Sequence, residues 1–173
     1  MGLPDKLEVE YLELNRLQNS LKNGQLDLVL SSAGNYRRFL LEGYGLRDLA
    51  TMVSNQAPNP NYAEGSVFFV RSDRKDLDSI ASLKDKSVSA NYPFAFSGWQ
   101  IAAGELMKRG FDPDHFFSKM DFLGHGAAPV IDAVMSGKTD AGIVRACVLE
   151  NAGLIKSGKV KVLEPKETTD FPC

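Results

Sequence analysis

The sequence predicts an α/β fold, and three observations carry that expectation. Residues 87–165 read as four strands separated by three short helices, the alternation that builds a sheet covered by helices. Residues 7–32 read as a strand, a helix and a second strand. The 173 residues are 43% apolar and 24% charged, the composition of a folded chain long enough for one domain or for two small lobes sharing a hinge.

From the start of the chain, "LEVEYLEL" (7–14) alternates as a strand does, and "NRLQNSLKNG" (15–24) follows with Asn15 as N-cap, Leu17 and Leu21 four apart, and Gly24 as a stop. "QLDLVLSS" (25–32) returns to a buried strand, which would complete a β-α-β unit with a parallel sheet. "AGNYRRFLLEG" (33–43) predicts a short helix past the carboxyl end of that strand, and "DLATMVSN" (48–55) a further strand. "QAPNPNYAEGS" (56–66) is turn-forming through Pro58, Pro60 and Gly65, and "VFFVRSD" (67–73) resumes a strand, so 48–72 reads as a hairpin-like pair. "DLDSIASLKDK" (76–86) is a helical turn and linker with Ile80 and Leu83 packing inward.

The second half is more regular. Strands are expected at 87–91, 118–124, 139–146 and 160–165, with helices at 97–110, 127–137 and 147–155 between them. Gly110 and Gly137 stand where helices stop. The order of elements changes near residues 80–86, which makes that the expected boundary between the halves.

Charge and cysteine content exclude several classes of function. Twenty basic and 22 acidic residues give a net charge of −2 with no basic block, so a nucleic-acid partner is not expected. No apolar run reaches the roughly 20 residues that span a bilayer, and Met1 to Asp5 lack the basic start and apolar core of a secretory signal. The protein is then cytosolic, or its export signal and any anchor lie outside these residues. Cys147 and Cys173 cannot form a four-ligand zinc site, and one disulfide or two thiols both remain open. His125 and Cys147 lack metal-ligand spacing, so neither a metal nor another cofactor is expected.

In open parallel sheets ligands bind beyond the carboxyl ends of the strands, where helix starts converge. The residues at those ends are Ser31, Ser32, Asn35 and Tyr36, then Tyr92, Phe94, Phe96, Ser97, Gly98 and Trp99, then His125 and Gly126, then Arg145 and Cys147. Free N–H groups at a helix start favour a negative group, and a Ser-Gly entry permits close approach. Arg145 would add a guanidinium fork for sulfur or phosphorus oxyanions or carboxylates, and His125 a further donor. Trp99, Phe94, Phe96 and Tyr36 would wall an apolar slot. Each residue also has a plain structural reading: Ser97 as a cap, Trp99 as core, His125 as a loop residue, Arg145 in a salt bridge and Tyr36 as a half-buried surface ring. Casting Ser97, His125 and Asp132 or Asp140 as nucleophile, base and orienter fails on sequence, since "AFSGW" is not the G-x-S-x-G elbow, and no enzymatic activity is expected.

The stretches "FFVRSDRKDLDSIASLKDKSVSA", "FSGWQIAAGELMKRGFDPDHFF", "GHGAAPVIDAVMSGKTDAGIVRACVLE" and "KVKVLEP" resemble the phosphonate-binding-protein-like family of type II periplasmic binding proteins. The likeness runs from Val9 through nearly the whole chain. It is closest to the branch serving as sensor domains of histidine kinases, of which the tetrathionate sensor is the type. The motifs that carry it are S-L-x-D-K at Ser82–Lys86, S-G-W-Q at Ser97–Gln100, the Gly124–Ala127 loop and D-A-G-x-V-R at Asp140–Arg145.

The resemblance implies two α/β lobes with mixed, mainly parallel sheets closing on a ligand. Residues 1–80 would be an incomplete first lobe, 81–86 the hinge or linker, 87–165 the second lobe, and 166–173 the start of a segment returning to the first. Ser32, Asn35 and Tyr36 would contribute from the first lobe, and Phe96, Ser97, Gly98, Trp99, His125 and Arg145 from the second. Relatives that bind aminophosphonates carry an acidic residue near position 145, so Arg145 implies an anion without an amine. Cys147 and Cys173 have counterparts in the sensor branch, which implies a periplasmic disulfide or thiol pair. The function implied is an extracytoplasmic sensor domain of a membrane-anchored histidine kinase with a response-regulator partner; the alternative is the solute-binding protein of a phosphonate-type ABC transporter. An incomplete first lobe would leave strand edges unpaired and favour a homodimer, with elements swapped between copies.

Overall fold

The computed structural model describes residues 7–51 and 64–164. Its centre is a sheet of five strands: β1 (Ser66–Arg71), β2 (Ser87–Ala90), β3 (Lys119–Phe122), β4 (Ala141–Arg145) and β5 (Val160–Glu164). They lie in the order β3-β2-β4-β1-β5. β2 runs parallel to β3 and β4, whereas β1 runs antiparallel to β4 and β5, so the sheet is mixed.

Alternation along each strand sends successive side chains to opposite faces. On one face, Phe68, Val70, Val88, Ala90, Ala141 and Ile143 pack with Trp99, Ala102 and Leu106 under helix α3 (Ile101–Lys108). On the other, Val67, Phe69 and Val144 meet Val130 and Val134 of α4 (Ala128–Met135) and Leu149 of α5 (Val148–Asn151). Because both faces are covered, β1 reads "SVFFVR" rather than as an apolar-polar alternation, and its first five residues are buried. Gly142 is required where β4 passes β1: a Cβ there would lie 2.5 Å from the Phe69 ring.

The amino end of the parallel strands is tied by one carboxylate. Asp140 accepts from the Ser87 amide at 2.9 Å and the Ser87 hydroxyl at 2.6 Å, and from Arg74 Nη1 at 2.5 Å. Burial works against ionisation of Asp140, but the Ser87 hydroxyl, Arg74 and the Ser87 amide outweigh it and lower its pKa from the ordinary 3.8 to about 2. This one side chain links the loop after β1 to the starts of β2 and β4.

The first half departs from the sequence expectation. Helix α1 (Leu14–Lys22) buries none of its residues, and α2 (Ala33–Leu41) buries only Gly34, Asn35 and Phe39. The strands expected at 7–14 and 25–32 are not formed, and Leu28 and Leu30 are 65% and 87% exposed. The physical reason is that a strand needs a neighbour to pair its N–H and C=O groups, and among the described residues no strand pairs with these segments. The hairpin expected over 48–72 is not formed by β1, whose neighbours are β4 and β5; residues 48–51 form no strand, and the rest of the expected 48–55 strand lies outside the described residues. Nor does the expected linker at 81–86 mark a break in the sheet. β1 precedes it yet sits between two later strands, and the 3-10 turn at Ala81–Leu83 buries Leu83 within the same core. The expected return segment at 166–173 lies outside the described residues.

α2 nevertheless reaches the sheet domain. Its Gly34 packs so closely on the chain after β2 that a Cβ would meet the Phe94 carbonyl at 2.6 Å and Gln100 Oε1 at 2.7 Å.

Candidate functional site

Beyond the carboxyl end of β2, the Ala95 N–H closes a turn on the Tyr92 carbonyl at 2.9 Å. A π-helical turn at Phe96–Gln100 then leads into α3. The amides of Trp99 and Gln100 both donate to the Ala95 carbonyl, at 2.9 and 3.0 Å. Those of Phe96, Ser97 and Gly98, one step earlier, donate to no oxygen among the described residues. Gly98 makes this start narrow: a Cβ would lie 2.6 Å from Asn91 Oδ1 and 3.0 Å from the Ala95 Cβ. Asn91 in turn donates through Nδ2 to the Gly126 carbonyl, joining the loops after β2 and β3.

Arg145 ends β4 at the same edge of the sheet. By alternation it follows Ala141 and Ile143 onto the α3 face, and Ser66, opposite Arg145 in the β1–β4 register, precedes Phe68 on that face. The Ser66 hydroxyl donates to the Ser97 carbonyl at 2.5 Å. Ser97, Ser66 and Arg145 are thus consecutive along one rim. The Arg145 guanidinium is 3.1 Å from Glu64 Oε1, with both side chains 43% exposed.

A cleft of about 290 Å³ opens beside this rim, lined by Glu13, Leu14, Asn15, Tyr92, Pro93, Phe94 and His125. It lies between the start of α1 and the loops after β2 and β3, so it joins distant parts of the chain. The His125 ring centre lies 4.8 Å from that of Tyr92, the two planes tilted by 51°, and its Nε2 lies 3.5 Å from Glu13 Oε2. The Arg38 guanidinium lies 4.2 Å from the centre of the Phe94 ring.

The remaining expected residues divide. Ser32 caps α2, accepting from the Asn35 amide at 3.3 Å, and Asn35 Nδ2 donates to Ser31 Oγ at 3.2 Å. Asn35 is only 8% exposed, and its buried Oδ1 has no hydrogen-bond partner among the described residues. Tyr36 donates to Asp48 Oδ1 at 3.0 Å and accepts from the Asp48 amide at 3.1 Å; burial and then the Asp48 carboxylate raise its pKa. Trp99 turns inward at 9% exposure, its ring centre 6.4 Å from that of Phe117 and 5.6 Å from that of Phe122, so it supports the π-helical turn from beneath. Phe96 stays on the surface. Cys147 is disulfide-bonded and stands at positive φ (71°) between β4 and α5; Cys173 lies outside the described residues.

The reading of residues in isolation missed Glu13, Leu14, Glu64 and Ser66. The first helix starts at Leu14 rather than after Asn15, which puts Glu13 and Leu14 at its mouth. Glu64 and Ser66 become visible only once β1 is known to pair with β4. Asp140, one of the two carboxylates weighed as a partner for His125, is instead engaged by Arg74 and Ser87 at the opposite end of the strands. Among the described residues there is no group of three metal-binding side chains, and no helix is long and apolar enough to cross a membrane.

A family model described as the periplasmic substrate-binding protein of phosphonate ABC transporters matches residues 4–172. No curated protein sequence matches the chain. Among solved structures, XAC2383 from Xanthomonas citri bound to chloride ion superposes with a TM-score of 0.61 at 17% identity, covering 86% of this chain and 56% of that one. PhnD1 from Prochlorococcus marinus in complex with methylphosphonate gives 0.50 at 23% identity over 59% of this chain and 40% of that one. An ancestral arginine-binding protein bound to arginine gives 0.51 at 16% identity over 91% and 61%. At these identities the likeness is one of fold, and the chain spans only 40–61% of the length of these structures.

Proposed function

The chain belongs to the family of periplasmic substrate-binding proteins of phosphonate ABC transporters, and from that premise we propose that it binds a small phosphorus or sulfur oxyanion at the carboxyl end of its sheet and serves an ABC transporter. The observation that carries the ligand class is the rim itself: the amides of Phe96, Ser97 and Gly98, which have no acceptor among the described residues, stand on the same sheet edge and face as the Arg145 guanidinium. Amides at a helix start and a guanidinium fork complement one chemical group, a compact anion. The adjoining cleft, with His125 and the Tyr92 and Phe94 rings, offers room for an organic substituent.

Binding would act by closure. Residues 13–15 on one side and residues 92–94 and His125 on the other line one cleft from separate parts of the chain, so a ligand touching both favours the state in which they approach. Members of the family are substrate-binding proteins, and no step of this account changes a covalent bond. A sensor-kinase parent with a response-regulator partner rests on the sequence resemblance alone, and the family description favours the transporter reading.

Isothermal titration of the chain against methylphosphonate, inorganic phosphate, methanesulfonate and acetate tests the proposal. Saturable binding of a phosphorus or sulfur oxyanion, weakened at least about tenfold by Arg145→Ala, is the expected result; a charge-assisted contact of this kind is worth about 1.5–3 kcal/mol. Saturation by none of the four would contradict it.

A further inference from the structure

The oxyanion reading leaves one contact unexplained: Arg145, the charge offered to the ligand, already holds a carboxylate. Glu64 Oε1 stands 3.1 Å from Arg145 Nη2. The pairing follows from the way β1 enters the sheet. Ser66 sits opposite Arg145, and the Ala146 amide donates to the Gly65 carbonyl at 2.9 Å, so Glu64 is carried to the end of β4 by backbone register.

We propose that Glu64 is an internal counter-ion that occupies Arg145 when no ligand is bound and gives way to the oxyanion, thereby setting affinity and disfavouring carboxylates. The inference rests on the oxyanion reading above. Exposure decides between this role and a permanent structural bridge. Both side chains are 43% exposed, and a carboxylate-guanidinium pair in such surroundings contributes little to stability. A contact that weak can be exchanged. An anion that also reaches the amides of Ser97 and Gly98 gains contacts that Glu64, tethered to the β1 backbone, does not make, so the exchange favours the ligand. A singly charged carboxylate lacking a third oxygen gains less from those amides and competes poorly with Glu64, which is how the resident carboxylate would discriminate.

Glu64→Gln keeps the shape of the side chain and removes its charge. Titrated with methylphosphonate and inorganic phosphate, the variant should bind about two- to fivefold more tightly than the parent chain, the range that loss of an exposed ion pair allows. It should also narrow the preference for these anions over acetate. Glu64→Asp, which retains the carboxylate, should restore the parent affinity and preference. In an Arg145→Ala background Glu64→Gln should change neither, because the effect passes through Arg145. Glu64→Ser guards against a folding defect in the glutamine variant, and thermal melts of all variants are run alongside. Unchanged or weaker oxyanion binding in folded Glu64→Gln or Glu64→Ser, or a full effect without Arg145, overturns the counter-ion role while leaving the oxyanion site standing. If neither the parent nor either Glu64 variant binds these anions, the site and the counter-ion fall together.

Discussion

Gly98 shows how much of the site rests on single atoms. A methyl group there would meet Asn91 Oδ1 at 2.6 Å and the Ala95 Cβ at 3.0 Å, at the start of the turn that leads into α3. Gly98→Ala should destabilise the fold by about 1–3 kcal/mol in denaturant titration, as overpacking does, and weaken oxyanion binding because Asn91 also joins the loops after β2 and β3. Asp140 makes a prediction about acid. Its pKa is lowered from 3.8 to about 2, so the stability it supplies is complete above the higher value and is lost as pH falls through the lower. Asp140→Asn should therefore flatten the loss of stability between about pH 4 and 2, and at neutral pH should lower stability by about 1–3 kcal/mol, measured by urea unfolding at each pH. That Ser97, Gly98 and Arg145 lie at or beyond the carboxyl ends of strands was legible in the sequence, because apolar runs and glycine stops mark where strands end. Trp99 was ambiguous for a physical reason: an aromatic in a first helical turn can face either way, and the Phe117 and Phe122 rings decide it.

Among the elements, those from β1 onward follow from their own residues. Alternation, glycine stops and short apolar runs placed β2 to β5 and α3 to α5 close to where they lie. Pairing was harder to read, since β1 looks like the partner of an earlier strand yet is inserted between β4 and β5. Gly142→Ala tests that insertion directly. Its Cβ would lie 2.5 Å from the Phe69 ring and 2.9 Å from Val134 Cγ2, and a loss of about 1–3 kcal/mol is expected where an ordinary exposed Gly-to-Ala change in a strand would be mild. The segments at 7–14 and 25–32 carry a strand's alternation without becoming strands, because sequence pattern sets the face a side chain prefers while a ladder requires a neighbour.

At the scale of the molecule, a five-stranded mixed sheet brings three strand ends to one edge, and helix α2 and the start of α1 approach that edge from the first half of the chain. Ligand binding to such an arrangement should raise thermal stability by mass action, by about 2.7 kcal/mol at a hundredfold excess over Kd, and the gain should shrink in Arg145→Ala at equal ligand concentration. Crystallography of the chain with methylphosphonate would show where the anion sits relative to Ser97, Gly98 and Arg145. The phosphonate group is expected within hydrogen-bonding distance of the Ser97 and Gly98 amides and of the Arg145 guanidinium, with Glu64 turned away. A phosphonate bound elsewhere on the sheet edge, with the Arg145–Glu64 pair intact, would contradict that placement.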